Sequence, residues 1–312
     1  MTLKVTIVGV GLIGGSFSLA LQAVGADIEF TGCGRNEDSL LRAVDLGIVT
    51  RYSTSVTEAV AGSDLVFLAT PVGAMEAVLA EVAQVASPET IITDAGSCKQ
   101  SIIGAARRQL SHMENFVAGH PIAGTEHSGV EAGFATLYRD RRVILTPQSD
   151  TSAQAIETVR QLWIQTGAQV EEMSAERHDK VFAATSHLPH LLAFSLVETL
   201  YRMEQREELL RYAAGGFSDF TRIASSDPVM WRDVCLHNSE AVLESMANLR
   251  EGMDALVDAI NAGDGKRIEG LFKIAKDTRD TRILAKPQQT NPQQNEVSEG
   301  GPEPEPSPEK PQ

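Results

Sequence analysis

Residues 8–16 read VGVGLIGGS and follow directly on the run Val5, Thr6, Ile7. Gly9, Gly11 and Gly14 form the pattern G-x-G-x-x-G between a strand-forming run and a helix-forming one. That order dictates a strand, a turn too tight for a side chain, and a helix whose N-terminus faces out of the turn. Gly9 permits the turn, Gly11 leaves room for a pyrophosphate to approach the backbone, and Gly14 lets helix and strand pack closely. The pattern alone is weak evidence. Here it sits in the β-α-β context it requires, which favours a dinucleotide site over a ligand-free glycine turn. Leu12 and Ile13, at the start of the helix, and Thr70, at the end of the later run SDLVFLAT, join the candidate cofactor contacts.

The rest of the first half continues the alternation. LKVTIVGV, IEFTGCG, SDLVFLAT, TIITDAG, NFVAGHP, RRVILTP and AQVEEM read as strands. Between them IGGSFSLALQAVG, EDSLLRAVDLG, GAMEAVLAEVAQVA, KQSIIGAARRQL and TSAQAIETVRQLWIQTG carry apolar residues at helical spacing. Nearly continuous apolar strands alternating with helices predict a mainly parallel, doubly wound sheet of Rossmann type over 1–172. After residue 173 strand signals stop, and 173–286 read as an all-α domain. Its run PVMWRDVCLHNSEAVLESMANLREGMDALVDAINAG reads as one long helix with an apolar stripe, suited to packing on a second subunit.

Residues 287–312 hold five Glu, one Lys and seven of the 13 prolines. They have too little apolar surface to offset chain entropy, so a disordered tail is expected. It contributes −4 to the formal net charge of −15. That balance argues against a nucleic-acid surface, which needs clustered Lys and Arg. Three cysteines without a CxxC pair are neither a disulfide framework nor a zinc cage. With no signal-peptide layout and no 18-residue apolar run, a cytoplasmic protein is expected, with no membrane partner.

The end of the second strand selects the cofactor. An acid there would hydrogen-bond the ribose hydroxyls of NAD. This chain has TGCGRNEDS, with Gly34 at the acidic position and Arg35 after it. Glycine removes a carboxylate that would repel a 2′-phosphate, and arginine can pair with that phosphate, so NADP is expected. If Arg35 is only a solvated loop residue, NAD binds through the remaining contacts.

Four polar clusters add chemistry. TDAGSCK (93–99) puts Ser97 at the carboxyl edge of the sheet. AGHPIAGTEHSG (118–129) carries His120, Thr125 and Glu126. SHLPH (186–190) carries Ser186, His187 and His190, and GGFSDFTRIASSDPVMWRD (215–233) carries Arg222 with Trp231 nearby. Each has a plain alternative: Ser97 as a helix cap, His120 as a turn histidine before Pro121, Arg222 as an ion-pair partner of Asp219. His187 and His190 as a metal pair lack a convincing third ligand, His178–Asp179 being a weak one, so no metal is expected. Together the clusters favour an active site at the domain cleft.

GVGLIGGS, DAGSCK, GHPIAGTEHSG, SHLPH and GGFSDFTRIASSDPVMWRD stand in the order found in prephenate/arogenate dehydrogenases, the TyrA family of tyrosine biosynthesis. The chain resembles that family over about residues 3–285. The resemblance implies an N-terminal Rossmann domain, a C-terminal helical dimerisation domain and a homodimer. It implies oxidative decarboxylation of prephenate to 4-hydroxyphenylpyruvate, or of arogenate to tyrosine. It places the catalytic histidine at His120, hydrogen-bonded by Ser97, and the ring-carboxylate anchor at Arg222. It puts Ser186 and His190 on the pocket wall and Thr125 and Glu126 near the substrate's side chain. No fused mutase segment or regulatory ACT domain is expected. Two other readings stay open. One is a further two-domain NADP enzyme, such as a 3-hydroxyacid dehydrogenase or an imine reductase. The other is a redox-sensing Rossmann protein that binds NADPH without catalysis.

Overall fold

A computed structural model describes residues 2–125 and 127–283. Glu126 and the 287–312 tail therefore lie outside the described residues. Its contacts divide the chain into two units, Met1–Leu249 and Arg250–Gln312.

The first unit is built on a six-stranded sheet. Its strands are β1 (Leu3–Val8), β2 (Ile28–Cys33), β3 (Arg51–Ser53), β4 (Leu65–Leu68), β5 (Ile91–Asp94) and β6 (Phe116–Val117), in the order β3-β2-β1-β4-β5-β6. Every pairing is parallel. The order reverses between β1 and β4, and the crevice at their carboxyl ends is where such sheets bind ligands. β4 is fully buried, as expected of a strand covered on both faces. On one side α1 (Leu12–Ala23) and α6 (Ala153–Gln165) cover the sheet, with Phe17, Phe67 and Tyr138 edge-on to Trp163 at 4.8–5.6 Å and Phe17 tilted on Phe67 at 4.6 Å. On the other, α4 (Met75–Val82) and α5 (Lys99–Gln109) bury Met75, Leu79, Ile102 and Ala106.

The sequence reading of NFVAGHP as one strand is corrected. The chain leaves the large sheet after β6 and starts a second sheet with β7 (Gly119–Pro121). β7 pairs antiparallel with β8 (Arg142–Leu145), which pairs parallel with β9 (Gln169–Glu172). The switch is fixed by Asp94, whose carboxylate accepts from the Gly119 N–H at 3.1 Å. β3 and α3 (Val56–Val60) went unread because three and five residues are too short to show a period.

Beyond α2 (Glu37–Asp45) and the sheets come α7 (Ala175–Phe182) and α8 (Leu188–Arg202), joined by a π turn over Ala183–His187. Pro189 has no N–H to offer the preceding turn, and the helix accommodates it by widening there. EELLRYAAGGFSDFTRIA, read as one helix, breaks into α9 (Arg206–Arg211), α10 (Gly215–Thr221) and a 3-10 turn at Arg222–Ser225; the first break falls at Tyr212–Ala214, just before the helix-weak pair Gly215 and Gly216 that opens α10. The long helix also breaks, into α11 (Pro228–His237) and α12 (Ser239–Asn261), at Asn238. In the second unit α12 continues and α13 (Gly265–Thr278) follows. Among the described residues no helix is long and apolar enough to cross a membrane.

Candidate active site

The glycine turn has the geometry its sequence requires. Gly9 has φ +102°, and a Cβ there would lie 2.5 Å from the Ala69 carbonyl oxygen. A Cβ on Gly14 would lie 2.3 Å from the Gly9 oxygen, whereas one on Gly11 would meet nothing within 4 Å. The first and third glycines are thus packed shut and the middle one faces open space, the shape that lets a diphosphate approach the amides at the start of α1. The Gly9 N–H is tied to the Cys33 carbonyl at 2.8 Å, which sets the turn beside the end of β2. Gly34 and Arg35 follow directly; Arg35 is exposed and has no hydrogen-bond partner among the described residues. Thr70 lies across the switch crevice after β4, with its backbone N 3.1 Å from the position of a Gly9 Cβ. The residues present fit a dinucleotide.

At the end of β5 the site turns polar. Asp94 and Lys99 are wholly buried and form an ion pair at 2.5 Å. Lys99 Nζ also donates to the Gly119 carbonyl at 2.5 Å, and Asp94 accepts from Gly96 N–H at 2.7 Å. These bonds pin the strand that carries His120. Buried charges this completely paired are costly to break, though not strongly stabilising as a set.

His120 Nδ1 lies 2.8 Å from His178 Nε2, and His178 Nδ1 lies 2.8 Å from Asp179 Oδ1. The Asp179 carboxylate accepts the backbone N–H groups of Lys99 (2.8 Å) and Gln100 (2.9 Å), the first turn of α5. Burial pushes the Asp179 carboxyl up, but the bonds from His178 and those two amides outweigh it and hold it below its ordinary value. Burial lowers His178, with the Asp179 hydrogen bond opposing. Burial, then the charges of His178, Lys99 and His187, hold His120 well below 6.5. Its imidazole is therefore neutral at pH 7, further from titration than an exposed histidine.

A second branch runs from Asp179 into the helices. Asn238 Nδ2 donates to the Asp179 carbonyl at 2.9 Å and lies 3.2 Å from His187 Nδ1. His187 is pushed down to about 4 by burial. His190 Nδ1 donates to the Ser186 carbonyl at 2.9 Å, and its ring stacks on Trp231 at 3.7 Å. Burial lowers His190; the Ser186 bond opposes and the Arg222 charge adds to the lowering, so Arg222 and His190 feel one another. The histidine pair is thus committed to protein partners rather than arranged as a chelate. Among the described residues no group of three or more His, Cys, Asp or Glu could hold a metal ion.

Not every expected residue joins the cluster. Ser97 is half-buried, and its hydroxyl makes no hydrogen bond to His120 or to any other described residue. It is not the helix cap either. Cys98 stands at that position, and the amides it would cap are taken by Asp179. Thr125 is exposed and accepts from the His127 N–H at 3.2 Å. Arg222 is exposed on the 3-10 turn, which packs against α8, rather than enclosed by apolar side chains. The sequence reading missed Asp94, Lys99 and Asn238, and it weighed His178 and Asp179 only as a weak metal ligand rather than as partners of His120. An acid and a lysine flanking a run of small residues after an apolar strand was the available signal for the first two. Asn238 lay inside what reads as continuous helix.

Comparison with known proteins agrees with this geometry. The prephenate dehydrogenase nucleotide-binding domain profile matches residues 17–172, and the prephenate dehydrogenase dimerization domain profile matches 174–276. The chain belongs to the prephenate dehydrogenase family. It is 38% identical to a cyclohexadienyl dehydrogenase of Zymomonas mobilis over 88% of this chain and 94% of that protein. It is 37% identical to a prephenate dehydrogenase of Bacillus subtilis over 88% of this chain and 75% of that protein. Among solved structures, the Aquifex aeolicus prephenate dehydrogenase with hydroxyphenyl propionate and NAD+ superposes with a TM-score of 0.85 at 38% identity. That match covers 90% of this chain and 98% of the other. A Synechocystis arogenate dehydrogenase gives 0.75 at 25% identity, over 89% and 99% of the two chains. The protein is accordingly an NAD(P)-dependent oxidoreductase.

Proposed function

We propose that the protein oxidatively decarboxylates prephenate to 4-hydroxyphenylpyruvate, with His120 as the general base. The carrying observation is a buried imidazole, held at Nδ1 by His178, on the strand pinned to the carboxyl end of the dinucleotide sheet, where burial favours its neutral form. Its Nε2 accepts the proton of the substrate's ring hydroxyl. Hydride leaves the same carbon, the C–C bond to the ring carboxylate breaks, CO2 departs, and the ring becomes aromatic. The bound nicotinamide supplies the hydride acceptor. Because aromatisation drives the reaction, the protein needs only to align two carbon centres and take one proton.

Arg222 pairs with the ring carboxylate, Ser186 and His190 line the pocket wall, and Thr125 sits on the loop toward the substrate's side chain. Ser97 joins His120 and the substrate hydroxyl once that hydroxyl is present. Gly9, Gly11, Leu12, Ile13, Gly14 and Thr70 hold the dinucleotide. NADP is preferred, supported by Gly34 and Arg35. The dinucleotide domain spans 1–172 and the helical domain 173–286. A homodimer through the helical domain is supported by Leu243, Met246, Met253, Val257 and Ile260, exposed along one stripe of α12. The relatives favour this reading over a 3-hydroxyacid dehydrogenase. Initial rates with prephenate and arogenate, each with NAD and NADP, test it: turnover of neither substrate with either cofactor would remove it.

A further inference from the structure

We propose that His178 and Asp179 are positioning residues that fix the tautomer of His120, so that its Nε2 always presents a lone pair to the substrate. This rests on the reading of His120 as the base. With His178 neutral, as its burial favours, the chain of donors has one consistent solution. The amides of Lys99 and Gln100 can only donate, so the Asp179 carboxylate must accept both. The same carboxylate can only accept from His178, so His178 Nδ1 carries a proton. A neutral His178 then has an unprotonated Nε2, which accepts from His120 Nδ1–H at 2.8 Å. The remaining nitrogen of a neutral His120, Nε2, is left unprotonated.

Direction is thus imposed from a helix N-terminus through a carboxylate and one imidazole to a second imidazole. The order carboxylate, imidazole, reactive group is that of a hydrolase triad with a histidine in the last place. Phe182 closes the side of the relay, 5.1 Å from the His120 ring and 4.5 Å from the His178 ring. His178 and Asp179 are both buried, so water does not compete for these bonds.

Two variants of the full-length enzyme and one spectroscopic readout test the assignment. His178→Leu removes the acceptor and releases His120 to either tautomer. Its kcat for prephenate should fall about 10- to 1,000-fold with KM within about threefold. His178→Gln retains a carbonyl oxygen that can accept from His120 and should recover most of that loss. Equal loss in both variants, with unchanged thermal melting, would overturn the relay. In 15N-histidine NMR of the wild-type enzyme at pH 7, His120 should show a protonated Nδ1 and an unprotonated Nε2. The opposite tautomer would overturn the proposal whatever the kinetics. Should the NMR give the expected tautomer while His120→Asn keeps its kcat, the relay holds and the base assignment is what fails.

Discussion

Replacing Lys99 with methionine removes the only side-chain cation bonded to Asp94 among the described residues. Both side chains are wholly buried and 2.5 Å apart. Methionine keeps the apolar stem volume but leaves the carboxylate, among the described residues, with the Gly96 and Gly119 amides as partners. Breaking a buried pair from one side costs about 3–5 kcal/mol, because the surviving charge is uncompensated. At about 2–4 °C per kcal/mol for a chain of this size, the melting temperature should drop by roughly 6–20 °C. Asp94→Asn combined with Lys99→Met removes the stranded charge, and the double variant should be more stable than Lys99→Met alone. Urea unfolding at pH 7 on all four members of the cycle gives the coupling energy, expected above about 1 kcal/mol. A Lys99→Met loss below about 1 kcal/mol, or additivity within about 0.5 kcal/mol, would refute the view that this pair pins β7 to β5.

Three further outcomes follow from other parts of the site. Gly34→Asp with Arg35→Leu should reverse the cofactor preference from NADP to NAD. A Cβ at Gly34 would meet only Leu40, at 3.6 Å, so the acid has room, and a higher wild-type kcat/KM for NAD would contradict the assignment. Arg222→Ala should raise KM for prephenate about 10- to 100-fold while kcat changes less, the loss of one charge-assisted bond of about 1.5–3 kcal/mol. An unchanged KM would remove Arg222 as the carboxylate anchor. His187, neutral down to about pH 4 in the fold, takes up a proton near 6.5 once unfolded. The stability associated with its neutral form is therefore complete above pH 6.5 and is lost as pH falls toward 4, at up to about 1.4 kcal/mol per pH unit. His187→Gln should flatten the fall in melting temperature over that window, and an unaltered slope would contradict the burial argument.

The sheet was legible because Val5, Ile7, Val66, Phe67 and Ile92 lie in short apolar and β-branched runs, broken only by Thr6 in β1, and the glycine loop fixed where the first helix had to start. The second sheet was not, because Phe116–Pro121 reads as one apolar run and only the tertiary bond from Asp94 to Gly119 divides it. His120 was legible from its place after a strand. Its dependence on His178 and Asp179 was not, since 58 residues separate the two rings and only folding makes them adjacent. Asn238 was hidden because helical periodicity runs straight through it. The break appears only once its side chain is seen bonded to Asp179 and facing His187. For Arg222 the neighbouring sequence was apolar, but the 3-10 turn that follows α10 exposes it, a change of helix type that periodicity alone does not resolve.

The central claim is that His120 takes the substrate's proton. The direct measurement is kcat, KM and melting temperature of His120→Asn on one preparation, with prephenate and saturating cofactor. Asparagine keeps a polar group of similar reach but offers no base, so kcat should fall about 10²–10⁴-fold while KM stays within a few-fold of wild type. Near-normal kcat accompanied by a lowered melting temperature would show that His120 only stabilises the turn before Pro121, and would contradict the account.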